Sequence, residues 1–139
     1  MKILAIALAV LVLLLGGSVI YYRTVVNDGV AEDLLSNPAG ERAEIVMLLT
    51  FPHGKTIPVN YLREGRVVYC GADGPWWREF QGDGKDVKLL IQGEKLSGRA
   101  LVELENHIFI DKIFSRLRPN VPSWLPRWLN GRLIVIQLD

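Results

Sequence analysis

Residues able to do chemistry are concentrated in one stretch, Gly71-Ala72-Asp73-Gly74-Pro75-Trp76-Trp77-Arg78-Glu79-Phe80. It leaves an apolar run, Val67-Val68-Tyr69-Cys70, turns on two glycines and a proline, and sets two adjacent tryptophans beside an arginine. Gly-rich turns let backbone N–H groups come close to a ligand. An indole face beside a guanidinium suits a flat aromatic molecule or an anionic one. The same pattern describes a tight turn followed by a core aromatic, so the surrounding elements have to decide between the two.

Other chemistries find little support. Cys70 is the single cysteine, which excludes an internal disulfide and a Cys-rich metal site. His53 and His107 lie far apart without ligand spacing, and no metal is expected. Neither histidine accompanies a nucleophile motif, so a peptidase or hydrolase has no credible Ser/His/Asp set. No catalytic nucleophile or acid–base dyad stands out. Tyr61, Tyr69 and Arg78 are the residues left to polarise an acceptor, and a strand tyrosine is more commonly core. A net charge of +1 with 22% charged residues gives no pull toward nucleic acid.

The elements that must position this stretch follow from periodicity. Thr24 to Asn37 reads as a short helix with Val26, Val30, Leu34 and Leu35 on one apolar face, ended by Asn37-Pro38-Ala39-Gly40. Ala43–Phe51 is a dense apolar run, expected as a strand buried on both faces. Lys55–Leu62 alternates, with Ile57, Val59 and Tyr61 on one side, and Pro58 within it implies an edge position or a bulge. Arg63-Glu64-Gly65-Arg66 is a hairpin turn into Val67–Gly71. Two further strands are expected over Asp86–Gln92 and Lys95–Leu104. Glu105–Arg118 then turns helical, with Phe109, Ile110, Ile113, Phe114 and Leu117 on one face. Ser123 reads as the cap of a brief helix through Leu129, with Trp124, Leu125, Trp128 and Leu129 expected in the core, and Leu133–Leu138 is a last strand. About six strands joined by hairpins, with one late helix, predict a mainly β fold, an antiparallel six-stranded barrel.

The N-terminus is different in kind. Ile3 to Tyr22 carries no charge over twenty residues, the length that crosses a bilayer as a helix. Lys2 flanks it on one side and Tyr21, Tyr22 and Arg23 on the other, an aromatic and cationic boundary. A cleaved signal peptide with Gly16-Gly17-Ser18 before the cut is the competing reading. The apolar residues continuing past that cluster favour an uncleaved anchor, with the lipid bilayer as partner through residues 3–22. The cations on the two sides nearly balance, which leaves the orientation open. The expected organisation is an anchor over 1–23, a helical linker over 24–42 and a barrel domain over 43–139.

The order Lys55-Thr56-Ile57-Pro58-Val59, Tyr61, a hairpin, Gly-x-x-Gly-Pro-Trp-Trp-Arg, Val-x-Leu-x-Ile-x-Gly and Gly98-Arg99-Ala100 resembles the deazaflavin-dependent nitroreductase family. That family resembles in turn the split β-barrel flavin proteins that include pyridoxamine-phosphate-oxidase-like enzymes. The resemblance covers about Glu44 to Val102 and implies a deazaflavin or FMN cofactor. It also implies an Arg-x-x-Pro element that holds the cofactor's phosphate-bearing tail. Lys55, three before Pro58, would supply that cation, without the bidentate fork of an arginine. The backbone at Pro58 and Val59, with Gly71 and Ala72, would border the ring system. Trp77 and Arg78 would close the site.

Two departures stand against a full match. The family's Gly-Arg-Lys-Ser-Gly turn, a nest of N–H groups for phosphate, is replaced by Phe51-Pro52-His53-Gly54, and Glu79-Phe80 stands where Asn-Leu is usual. Two functions are therefore expected in competition. One is a membrane-tethered oxidoreductase passing hydride from a reduced flavin or deazaflavin to a quinone, small aromatic or nitro-type acceptor. The other is a non-enzymatic, anchored split barrel that has lost its cofactor turn. It would bind a small ligand or partner, or form the homodimer such barrels often use.

Overall fold

Six antiparallel strands close into a barrel in the order β1-β2-β3-β6-β5-β4. They are β1 (Val46–Thr50), β2 (Thr56–Glu64), β3 (Val67–Ala72), β4 (Lys85–Ile91), β5 (Glu94–Glu103) and β6 (Arg132–Leu138). Three helices accompany them: α1 (Lys2–Tyr21), α2 (Asn27–Ser36) and α3 (His107–Leu117). The computed structural model describes residues 1–139 except 123, 127, 128 and 130, and except the side chains of residues 23 and 24.

The alternation read from the sequence is what fills the barrel. Met47 and Leu49, Val68, Cys70 and Ala72, Val87, Leu89 and Ile91, and Ile134 and Ile136 all point inward to one core. Ile57, Val59 and Tyr61 of β2 pack against it. The outer faces are covered by helices. Tyr69 and Leu133 are buried under Ile110, Ile113, Phe114 and Leu117 of α3. Leu48, the outward residue of β1, is buried with Leu34 of α2 and Ala43. That is why the run beginning at Ala43 is apolar on both faces, although the strand itself starts at Val46.

Two expectations are corrected. Leu35 does not share the α2 face, being 64% exposed, because it lies about 100° round the helix from Leu34. Trp124 is 78% exposed and Leu129 half exposed, so neither belongs to the core. The barrel interior is already filled by the strand residues named above. The brief helix expected from Ser123 lies partly outside the described residues; within them, Leu125 N–H donates to the Pro122 carbonyl and Leu129 N–H to that of Pro126.

The barrel is split beside Pro58. β1 pairs with β2 from Thr56 to Asn60, whereas β3 pairs with β2 only from Tyr61 to Glu64. Tyr61 N–H donates to the Ile45 carbonyl, and the Lys55 carbonyl accepts from Phe51 N–H. Since adjacent residues of a strand direct their polar groups to opposite sides, Ile57 and Val59 face β1. Thr56, Pro58 and Asn60 then face the open side. Pro58 sits where its missing N–H costs no ladder bond. The expected edge position is what the register shows.

Ahead of the barrel, α1, a π-helical turn over Tyr22–Val26 and α2 follow one another without a break. α1 is 20 residues long with a mean hydropathy of 2.9, enough in length and composition to cross a membrane.

Candidate functional site

A short 3-10 helix over Pro75–Phe80, begun by Pro75 at its first position, carries the Trp-Trp-Arg segment. Its two tryptophans serve different ends. Trp76 meets Phe51 edge-on at 5.6 Å and Phe80 at 6.1 Å, and Phe80, fully buried, stacks on Phe51 at 5.7 Å. The ring pile continues to His53, stacked on Phe51 at 5.3 Å, whose Nε2 lies 3.3 Å from Glu79 Oε1. The Phe51–Lys55 turn is thus lashed to the 3-10 helix.

That turn fits a phosphate-bearing tail poorly. Phe51 N–H is spent on the Lys55 carbonyl and Gly54 N–H on the Phe51 carbonyl, so two of the turn's donors are already committed. The Glu79 carboxylate stands beside it as well. Lys55 itself is exposed at the head of β2. Pro58 and Val59 follow it, half buried, Val59 bonded to β1 and Pro58 on the open side, where a planar ring would meet the Pro58 ring and the outward carbonyls of Pro58 and Asn60. The edge suits the flat part of a cofactor; the turn does not suit its tail.

Trp77 faces the other way. Its indole lies under two guanidinium groups, those of Arg78 and Arg132, each 5.6 Å from the ring centroid. It forms one wall of a cavity of about 490 Å³ whose apolar lining is Leu104, Ile110 and Leu133. Arg132, His107 and Glu103 supply its polar groups. Glu103 Oε1 accepts from Glu105 N–H at 3.0 Å and Asn106 N–H at 2.9 Å, and Asn106 Oδ1 caps α3 through Phe109 N–H. Gly131, at φ +81°, completes the rim. A Cβ there would meet the Ala72 carbonyl oxygen at 2.6 Å, so the chain needs glycine to bring Arg132 in beside β3.

The residues that the resemblance assigned are therefore divided. Trp77 lines the cavity with Arg78 over its ring, whereas Lys55, Pro58 and Val59 lie apart from it, at the head of β2 and within it. Ala72 is buried in the core opposite Arg132 in the β3–β6 register. Gly71 has its side-chain direction filled, since a Cβ would lie 2.6 Å from Arg118 Nη2 and 2.9 Å from Phe114 Cε1. Arg118 in turn makes a two-pronged bond to Asp73, at 2.9 and 3.0 Å. Arg132, His107 and Glu103 escaped the reading of the sequence. Only the β3–β6 pairing and the β5-to-α3 turn bring them to Trp77.

The tyrosines considered for polarising an acceptor have structural partners. Tyr61 Oη donates to the Ala43 carbonyl at 2.9 Å. Burial lifts its phenol above the ordinary value, with Arg63 pulling down and Glu44 pushing up. Tyr69 is buried edge-on to Phe109. Cys70 is wholly enclosed, and burial pushes its thiol up to about 12 against the pull of Arg118, so it is no nucleophile at neutral pH. Among the described residues, no group of three or more His, Cys, Asp or Glu side chains is placed to hold a metal ion.

No protein-family model and no curated protein matches this sequence. Solved structures do match in fold. A candidate pyridoxamine 5'-phosphate oxidase from Listeria innocua superposes with a TM-score of 0.54 at 17% identity, covering 68% of this chain and 83% of its own. A FAD-binding protein from Mesorhizobium loti reaches 0.46 at 15% identity, over 78% of this chain and 89% of its own. An F420 reductase reaches 0.40 at 16% identity, over 78% and 92%. The last two lie too low to argue from. The barrel order, the split beside Pro58 and the Listeria match agree: this chain has the split-barrel fold of pyridoxamine-phosphate-oxidase-like proteins, the fold its resemblance to the deazaflavin-dependent nitroreductases implies.

Proposed function

We propose that this protein is a flavin- or deazaflavin-dependent oxidoreductase, tethered to a membrane by α1, that reduces a quinone or nitro-type acceptor. The observation that carries the reading is the open edge of β2. Thr56, Pro58 and Asn60 leave a strip of unpaired backbone just after Lys55 and beside Val59, with Lys55 a cation at the place where the resembled family holds the cofactor tail. The bound group would supply the hydride chemistry. The chain's own part is to seat the ring along Pro58–Val59 and to meet the tail with Lys55. A tether fits a lipid-soluble acceptor such as a quinone. A homodimer is in keeping with the fold.

The second reading is an anchored split barrel that binds without catalysing. It is favoured by one observation, the His53–Glu79 pair closing the turn where a phosphate nest would be needed. Titration of the full chain in detergent with FMN and with deazaflavin cofactor separates the two. Cofactor fluorescence and tryptophan quenching are the readouts. Micromolar binding of either, weakened about tenfold in Lys55→Ala as loss of one charge-assisted contact predicts, supports the oxidoreductase. A folded protein that binds neither leaves the second reading standing.

A further inference from the structure

We propose that the cavity between the Pro75–Phe80 helix, the start of α3 and the start of β6 is a second small-molecule site, distinct from the β2 edge, and that it takes a planar aromatic anion. It does not rest on the oxidoreductase reading, because neither Lys55, Pro58 nor Val59 lines the cavity.

Three observations point to that ligand. The first is shape and lining: about 490 Å³ walled by an indole and by Leu104, Ile110 and Leu133. That is in the size range of small-molecule pockets, and its walls suit a flat apolar ring. The second is charge. Arg132 is half buried at the cavity and, among the described residues, meets the Trp77 face but no carboxylate within ion-pair distance. An arginine set over an aromatic wall without an acidic partner offers a donor fork to a carboxylate or sulfonate. The third concerns the acid in the same cavity. The Glu103 carboxylate is answered by the amides of Glu105 and Asn106 at the start of α3, whereas the Arg132 charge, among the described residues, is answered by a ring. The unmatched charge in the cavity is positive. Contact with the Trp77 wall and a bidentate bond to Arg132 can be made by one molecule only if its anionic group is conjugated to, or next to, its ring.

The probe is 2-naphthoate, titrated calorimetrically into the full chain in detergent against empty micelles, with neutral 2-naphthalenemethanol as its uncharged counterpart. Sub-millimolar binding of the naphthoate is expected, with binding of the alcohol at least about tenfold weaker. Arg132→Gln should weaken the naphthoate by about tenfold, the size of one charge-assisted contact, and leave the alcohol unchanged. Because Leu104 is more than a third exposed, Leu104→Trp should fill the cavity without unfolding the barrel and abolish naphthoate binding. Circular dichroism confirms the fold of each variant. FMN at saturation should not displace the naphthoate. The proposal is overturned if naphthoate does not bind, if it binds Arg132→Gln or Leu104→Trp as tightly as the unaltered chain, or if the alcohol binds equally well. Displacement by FMN would overturn the separateness of the site, whatever the outcome of the Lys55→Ala titration.

Discussion

Adjacent residues in this chain have opposite fates. Trp76 and Trp77 are indistinguishable by type, yet neighbours on a 3-10 helix diverge by about 120°. One joins the Phe51–Phe80 ring pile, and the other forms a cavity wall under two arginines. The sequence marks this segment as worth watching but is silent on which indole is available, because that depends on where Phe51 arrives from β1. Arg132 was illegible for a related reason: its place beside Trp77 comes from the register that sets it opposite Ala72, a pairing between distant parts of the chain. Cys70 shows the cost of enclosure most directly. Burial pushes its thiol up to about 12 in the fold, from an ordinary value of 9.0. Above pH 9 the unfolded chain therefore sheds a proton that the folded chain keeps, and stability falls as pH rises from about 9 toward 12. In denaturant melts across that range, Cys70→Ala should lose about 1.4 kcal/mol per pH unit less than the unaltered chain. Equal slopes would show that the thiol is not shielded.

At the scale of elements, the strands were the most legible part. Period-two alternation marks β2 and β4, and the Gln92-Gly93-Glu94 turn marks β5, to within a residue or two, and Pro58 implies an edge. What alternation leaves out is which edge of β2 is open, since β3 pairs with only half of it. The parity of the ladder gives Pro58 a specific role. Its ring faces the side without a partner strand, so Pro58→Val restores a donor to an unpaired edge rather than to the ladder. We expect a change in folding stability below about 0.5 kcal/mol. Light scattering should nonetheless show strand-to-strand association, because a proline at that place blunts edge pairing. A large loss of stability with no association would mean that the edge is already covered. Helix α3 is also readable, its buried residues spaced three and four apart, and it runs from His107 to Leu117 rather than Glu105 to Arg118.

For the molecule as a whole, α2 is more than a linker. Leu34 is buried against Ala43 and Leu48 with Val30 and Ala31 beside it, and Arg42 pairs with Asp33 across the bend at 3.4 Å. Leu34→Ala should cost roughly 2 kcal/mol through the cavity it leaves. It should loosen this end first, read as faster tryptic cleavage after Arg42 while the barrel's ligand binding persists. Unchanged cleavage would show that α2 rests on the barrel without holding it. The unbroken run from α1 through the Tyr22–Val26 turn into α2 then has a mechanical consequence. On the anchored reading proposed above, a barrel clamped to a helix that continues into the lipid would have no swivel. Its azimuth and its height, roughly 20 Å for the thirteen residues from Tyr22 to Leu34 at helical rise, would be inherited from the tilt of α1 in the lipid. Bilayer thickness, by changing that tilt, would then steer where the mouth of the cavity opens.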